Sequence, residues 1–125
     1  MSGVGRRFQQ AGYTTLKPLI KVEGKEIVRH VVERFSPEDD FLFICSNQHL
    51  NELPLEAALK DMAPRGRIFG IEPHKRGPVH AVLEAAGEIR PDQPTIVNYC
   101  DFSWRWDYED FQEKMRETGC DGSVV

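Results

Sequence analysis

The chain has 125 residues, 40% hydrophobic and 29% charged, with a formal net charge of −4. That length suits one domain or part of a larger one, and a chain of this size can bury roughly two-thirds of its unfolded surface. The acidic balance argues against a general nucleic-acid or membrane-surface binder, and no apolar run approaches the ~20 residues that a membrane span needs.

The first feature along the chain is Gly3-Val4-Gly5-Arg6-Arg7-Phe8. Gly3 and Gly5 permit positive φ and close backbone approach, so amide N–H groups there can face phosphate oxygens. Arg7 can add a planar, bidentate clamp. A G-x-G taken alone is equally a tight turn. The dinucleotide fingerprint is not met, because Phe8 stands where its third glycine belongs. The P-loop is absent too, since Gly24-Lys25 is followed by Glu26. Lys17-Pro18 comes next. Proline biases the preceding residue toward extended geometry, which would give the ammonium a set direction; the alternative is a lysine in a surface loop.

Beyond this point helices and strands alternate. Ile27, Val28, Val31, Val32 and Phe35 form a helical stripe. Phe41–Cys45, after the turn Ser36-Pro37-Glu38-Asp39-Asp40, reads as a buried strand. Leu55, Ala58, Leu59 and Met62 carry a second helix, with Pro54 in its first turn. Arg67–Ile71 is a second strand. Gly77-Pro78 opens a third helix with the stripe Val79, Val82, Leu83, Ala86 and Ile89. Thr95–Tyr99 is a third strand. Asp107 caps a fourth helix, with Asp110 three residues on and Phe111 and Met115 on its apolar face. Such alternation predicts an α/β, three-layer, Rossmann-like fold with a mostly parallel sheet.

Both ends of the pattern look incomplete. A phosphate-binding glycine turn normally follows a strand, and only Met1 and Ser2 precede this one. Asp121–Val125 reads as the start of another strand. Residues 1–125 are therefore expected to be a single partial domain, poorly stable and inactive by itself.

Asp101 follows the third expected strand, where open α/β sheets bind their ligands; it is also compatible with a plain turn. Gly77 stands at a helix start, which offers free N–H groups and also needs no ligand. The histidines, His30, His49, His74 and His80, have no metal-ligand spacing; His30 is expected in solvent, and His74 and His80 as bystanders. Trp104 and Trp106 are expected to pack. Cys45, Cys100 and Cys120 match no zinc pattern and fit a reduced, cytoplasmic setting.

Taken together, Gly3-x-Gly5-x-Arg7-Phe8, Lys17-Pro18-Leu19 and Val22-x-Gly24-Lys25 resemble the start of the sugar-1-phosphate nucleotidylyltransferases, which have the nucleotide-diphospho-sugar transferase fold. His74–Val79 and Val97–Asp101 agree in order and type. The sequence departs from the family pattern at Leu16, at Arg6 and at Gly77-Pro78-Val79, which bears on substrate class rather than superfamily. The resemblance implies the nucleotide-binding half of an enzyme that makes an NDP-sugar and pyrophosphate from a nucleoside triphosphate and a sugar-1-phosphate. It implies Arg7 and Lys17 as catalytic residues, Gly3, Val4, Gly5 and Gly77 as nucleotide-binding residues, and Asp101 as a ligand of Mg²⁺. A role in surface-polysaccharide or sugar-nucleotide biosynthesis follows from the same likeness. The rival readings are a glycosyltransferase of the same fold and a non-catalytic nucleotide-binding scaffold. Oligomeric state is left open.

Overall fold

A computed structural model describes residue 12, residues 15–52 and residues 54–124. Gly3, Val4, Gly5 and Arg7 lie outside the described residues, so the expectations placed on them are carried by sequence alone.

A 3-10 turn, Lys17–Leu19, leads into a small antiparallel hairpin of β1 (Lys21–Val22) and β2 (Lys25–Glu26). Its two-residue loop has positive φ at both Glu23 (52°) and Gly24 (83°). A turn of this hand matches the right-handed twist of paired strands, and glycine relieves the strain at its second position. The chain then enters α1 (Ile27–Val32), whose Val28 and Val31 are buried. Side-chain contacts fasten the hairpin to its surroundings. Lys25 donates to Glu33 at 2.7 Å, and Arg29 reaches both Glu26 (3.2 Å) and Asp61 (2.5 Å). His30 Nε2 lies 2.8 Å from the Val22 carbonyl oxygen, so this histidine is half-buried and engaged rather than solvated.

β3 (Leu42–Ser46) runs straight into α2 (Asn47–Glu52), then α3 (Leu55–Met62), and returns as β4 (Arg67–Ile71). β3 and β4 pair in parallel, from Leu42 opposite Arg67 to Ser46 opposite Ile71. The core lies on this unit: Val28, Phe43, Cys45, Leu55, Leu59 and Ala63 form one buried cluster. Leu55, Leu59 and Ala63 recur every fourth residue, so α3 turns a single stripe onto β3. At the amino end of β4, Arg67 binds Glu88 (3.0 Å), while Arg90 binds Asp40 (2.9 Å).

The α/β class expected from the sequence is the one observed. Two elements differ. In α4 (Pro78–Glu84) the buried residue is Ala81, followed by Ala85, while Val79 and Leu83 are 71% and 65% exposed. Ala81 and Ala85, at i and i+4, occupy the buried side of the helix, and Val79 and Leu83 fall on the opposite side. The expected third strand, Thr95–Tyr99, joins neither side of the described sheet. Thr95 Oγ1 donates to the Gln93 carbonyl (3.3 Å) and Asn98 Nδ2 to that of Phe102 (3.2 Å). Local side-chain-to-backbone bonds of this kind compete with regular strand pairing. Val97 and Tyr99 remain largely exposed.

α5 (Tyr108–Thr118) follows the sequence reading closely. Asp107 caps it, its Oδ1 accepting the Asp110 N–H at 3.0 Å, and Gly119 closes it at φ 57°. Asp107→Ala is expected to cost about 1 kcal/mol; urea unfolding followed by circular dichroism measures it, and an unchanged midpoint would rule the cap out as a stabilising contact. Among the described residues, no helix is long and apolar enough to cross a membrane.

Candidate active site

Lys17 and Asp101 are 84 positions apart in sequence, and the fold joins them: Lys17 Nζ donates to Asp101 Oδ2 in an ion pair. Each is held by its neighbours. Pro18 is buried, and Leu16 and Leu19 pack against the core cluster on either side of Lys17. The turn is closed by Leu19 N–H to Leu16 O (2.8 Å) and Ile20 N–H to Lys17 O (3.2 Å). On the other side, Cys100 packs against the same cluster and presents Asp101 beside it.

The cysteines locate this pair. Cys45, near the carboxyl end of β3, is fully buried. Burial pushes its thiol up to about 11, and nearby Cys100 adds a smaller push in the same direction. The Cys100 thiol is also raised, chiefly by burial. Inert, protonated thiols suit packing, not nucleophilic chemistry. The residue before Asp101 thus shares a core with β3, a strand whose carboxyl end is where open α/β sheets bind ligands.

Gly77 sits on the loop that leaves the carboxyl end of β4. Its φ of 87° lies in the left-handed region, and the space where a Cβ would project is open. His74 and His80 shape this loop. The Arg76 N–H donates to His74 Nδ1 (3.1 Å), the two imidazoles meet edge to face at 4.8 Å, and His80 pairs with Glu84 at 2.8 Å. They hold the backbone around Gly77, a structural part that the sequence reading had not assigned them. Sequence reasoning also missed Asn47, whose Nδ2 donates to Glu72 Oε1 (2.7 Å) and ties the ends of β3 and β4 together. A Cβ on Gly70 would come within 2.0 Å of Asn47 Oδ1, so glycine is what lets Asn47 lie across the strand.

Trp104 and Trp106 do pack. Trp106 touches Phe35, Trp104, Tyr108 and Phe111 with ring centroids 4.8–5.6 Å apart, and its Nε1 donates to the Arg34 carbonyl (3.0 Å). A groove of about 600 Å³ beside them is lined by residues such as Phe35, Pro37 and Tyr108. Phe35 also contacts Phe41, at the amino end of β3. That is the wrong end of a parallel sheet for the ligand.

Among the described residues, no group of three His, Cys, Asp or Glu side chains could hold a metal ion by itself. Mg²⁺ makes a smaller demand, since it binds through one or two carboxylates, phosphate oxygens and water. The partly exposed carboxylate of Asp101 fits that donor set.

Residues 1–125 match the family model described as the MobA-like NTP transferase domain. The chain belongs to that family. This MobA-like domain is of the nucleotidyltransferase type, as the opening glycine turn, Lys17 and Asp101 had led us to expect. The chain is also similar to the ATP synthase gamma chains of Lactococcus lactis subsp. cremoris strains SK11 and MG1363, 35% identical over 77 residues. That stretch covers 61% of this chain and 24% of each relative. No solved structure matches this chain.

Proposed function

We propose that this NTP transferase domain transfers a nucleotidyl group from a nucleoside triphosphate to a sugar-1-phosphate, giving an NDP-sugar and pyrophosphate. The observation that carries the reading is the ion pair of Lys17 with Asp101, whose neighbours Leu16, Leu19 and Cys100 pack on the core cluster that includes Cys45 of β3. An ammonium and a carboxylate are the two charges that phosphate chemistry needs there. A sugar phosphate oxygen attacks the α-phosphorus in line; the new P–O bond forms as the bond to pyrophosphate breaks, and pyrophosphate leaves with the electron pair. Such a transfer depends on positioning and on neutralising charge more than on acid–base chemistry.

Lys17 is assigned the charge developing at the α-phosphate. Arg7 is assigned the leaving pyrophosphate, and the backbone of Gly3, Val4 and Gly5 the remaining phosphate oxygens. Gly77 leaves room for the nucleotide. Asp101 would hold Mg²⁺, which when bound neutralises phosphate oxygens. Residues 1–125 would form the nucleotide-binding half of the enzyme, serving sugar-nucleotide or surface-polysaccharide synthesis in the cytoplasm.

The test is pyrophosphate release by the purified protein, extended to a full domain, from each nucleoside triphosphate with Mg²⁺ and a panel of sugar-1-phosphates. Release that requires both substrates, with an NDP-sugar as co-product, supports the reading. Sugar transfer from an NDP-sugar without pyrophosphate would replace it with a glycosyltransferase, for which Asp101-Phe102-Ser103 lacks the usual D-x-D pattern. Nucleotide binding without turnover would leave a scaffold.

A further inference from the structure

Under the function proposed above, Lys17 and Asp101 serve different ligands, one a phosphate and the other a cation. In the structure they serve each other. Both backbones are anchored, through Leu16, Pro18 and Leu19 on one side and Cys100 on the other. At 38% and 26% exposure both side chains are within reach of solvent and ligand. Ion pairs this exposed are weak enough for a ligand to open.

We propose that the Lys17–Asp101 pair is a latch, opened by exchange of partners when metal and nucleotide arrive together. The proposal rests on the assignment of this site to a metal–nucleotide complex. Charge explains why joint arrival is required. A metal ion alone takes Asp101 and leaves the Lys17 ammonium facing a dication. A metal-free triphosphate takes Lys17 and leaves the bare Asp101 carboxylate facing polyanionic phosphate. When both come, each charge exchanges one partner of opposite sign for another. Metal and nucleotide thus strengthen each other's binding, and the coupling is reciprocal.

Two binding titrations test this without turnover. The first follows Mn²⁺ alone by electron paramagnetic resonance. The second follows the imidodiphosphate analogues of ATP, GTP, CTP and UTP in excess chelator. Lys17→Met should bind Mn²⁺ about fivefold more tightly than the native protein, and Asp101→Asn should bind the metal-free analogue about fivefold more tightly. Lys17→Arg, which keeps the charge, should retain the native Mn²⁺ affinity and shows that the site still folds around a changed side chain. Unchanged affinities in Lys17→Met and Asp101→Asn, with an analogue that does bind in Mn²⁺, overturn the latch and leave the functional reading intact. If no analogue binds the native protein even in Mn²⁺, the functional reading falls and the latch with it.

Discussion

Replacing Lys17 with alanine is expected to lower kcat by about 10²- to 10³-fold, the usual loss when one pre-placed donor to a developing negative charge is removed. Asp101→Asn should lose a similar factor, because it removes the carboxylate assigned to the metal. Neither change should unfold the protein. The ion pair is partly exposed, and pairs of that kind contribute only about 0–1 kcal/mol to stability. The combination of lost turnover and a retained unfolding transition is therefore the signature sought. Pyrophosphate-release kinetics and urea unfolding on the same samples provide it. Native rates in both variants would remove Lys17 and Asp101 from the active site. A collapse of stability in both would make the pair structural.

Leu59→Ala is expected to act the opposite way, costing about 3 kcal/mol of stability through lost burial and the cavity left behind. Leu59 is fully buried, and so is Leu55 one turn earlier. Together with Ala63 they press α3 onto Phe43 and Cys45 of β3. Domains are stable by only about 5–15 kcal/mol, so the loss is a large share of the total. Leu59→Met, close in volume, should cost under about 1.5 kcal/mol. Urea midpoints measure both. A Leu59→Ala midpoint equal to that of Leu59→Met would mean that this stripe does not hold the strand.

The elements most legible in the sequence are those written in consecutive residues. β4 has the bounds expected of it, and β3 differs by one position. The cap at Asp107 needed only local chemistry to be recognised. α2 escaped notice because Leu50 is its single large apolar residue, which makes no stripe. In α4 the large apolar residues Val79 and Leu83 stay exposed, because Ala81 and Ala85 take the buried side of the helix. Thr95–Tyr99 has the composition of a strand, yet a strand exists only when a neighbour accepts its backbone bonds.

For the candidate site the division is similar. Lys17, Gly77 and Asp101 drew attention through their residue type and motif context, and the family match covers them all. Their arrangement could not be read in the same way. That Lys17 meets Asp101 depends on Leu16, Leu19 and Cys100 sharing one core with Cys45, a contact set spread along the chain. Asn47 and Gly70 acquire meaning only where two strand ends lie side by side. Periodicity, caps and turn residues act over a few positions, so the sequence alone determined the α/β class, the place of β3 and β4 and the residues worth watching. Pairing across 84 positions is decided by how the core packs, so the tertiary structure alone placed the ammonium on the carboxylate and left Thr95–Tyr99 outside the sheet.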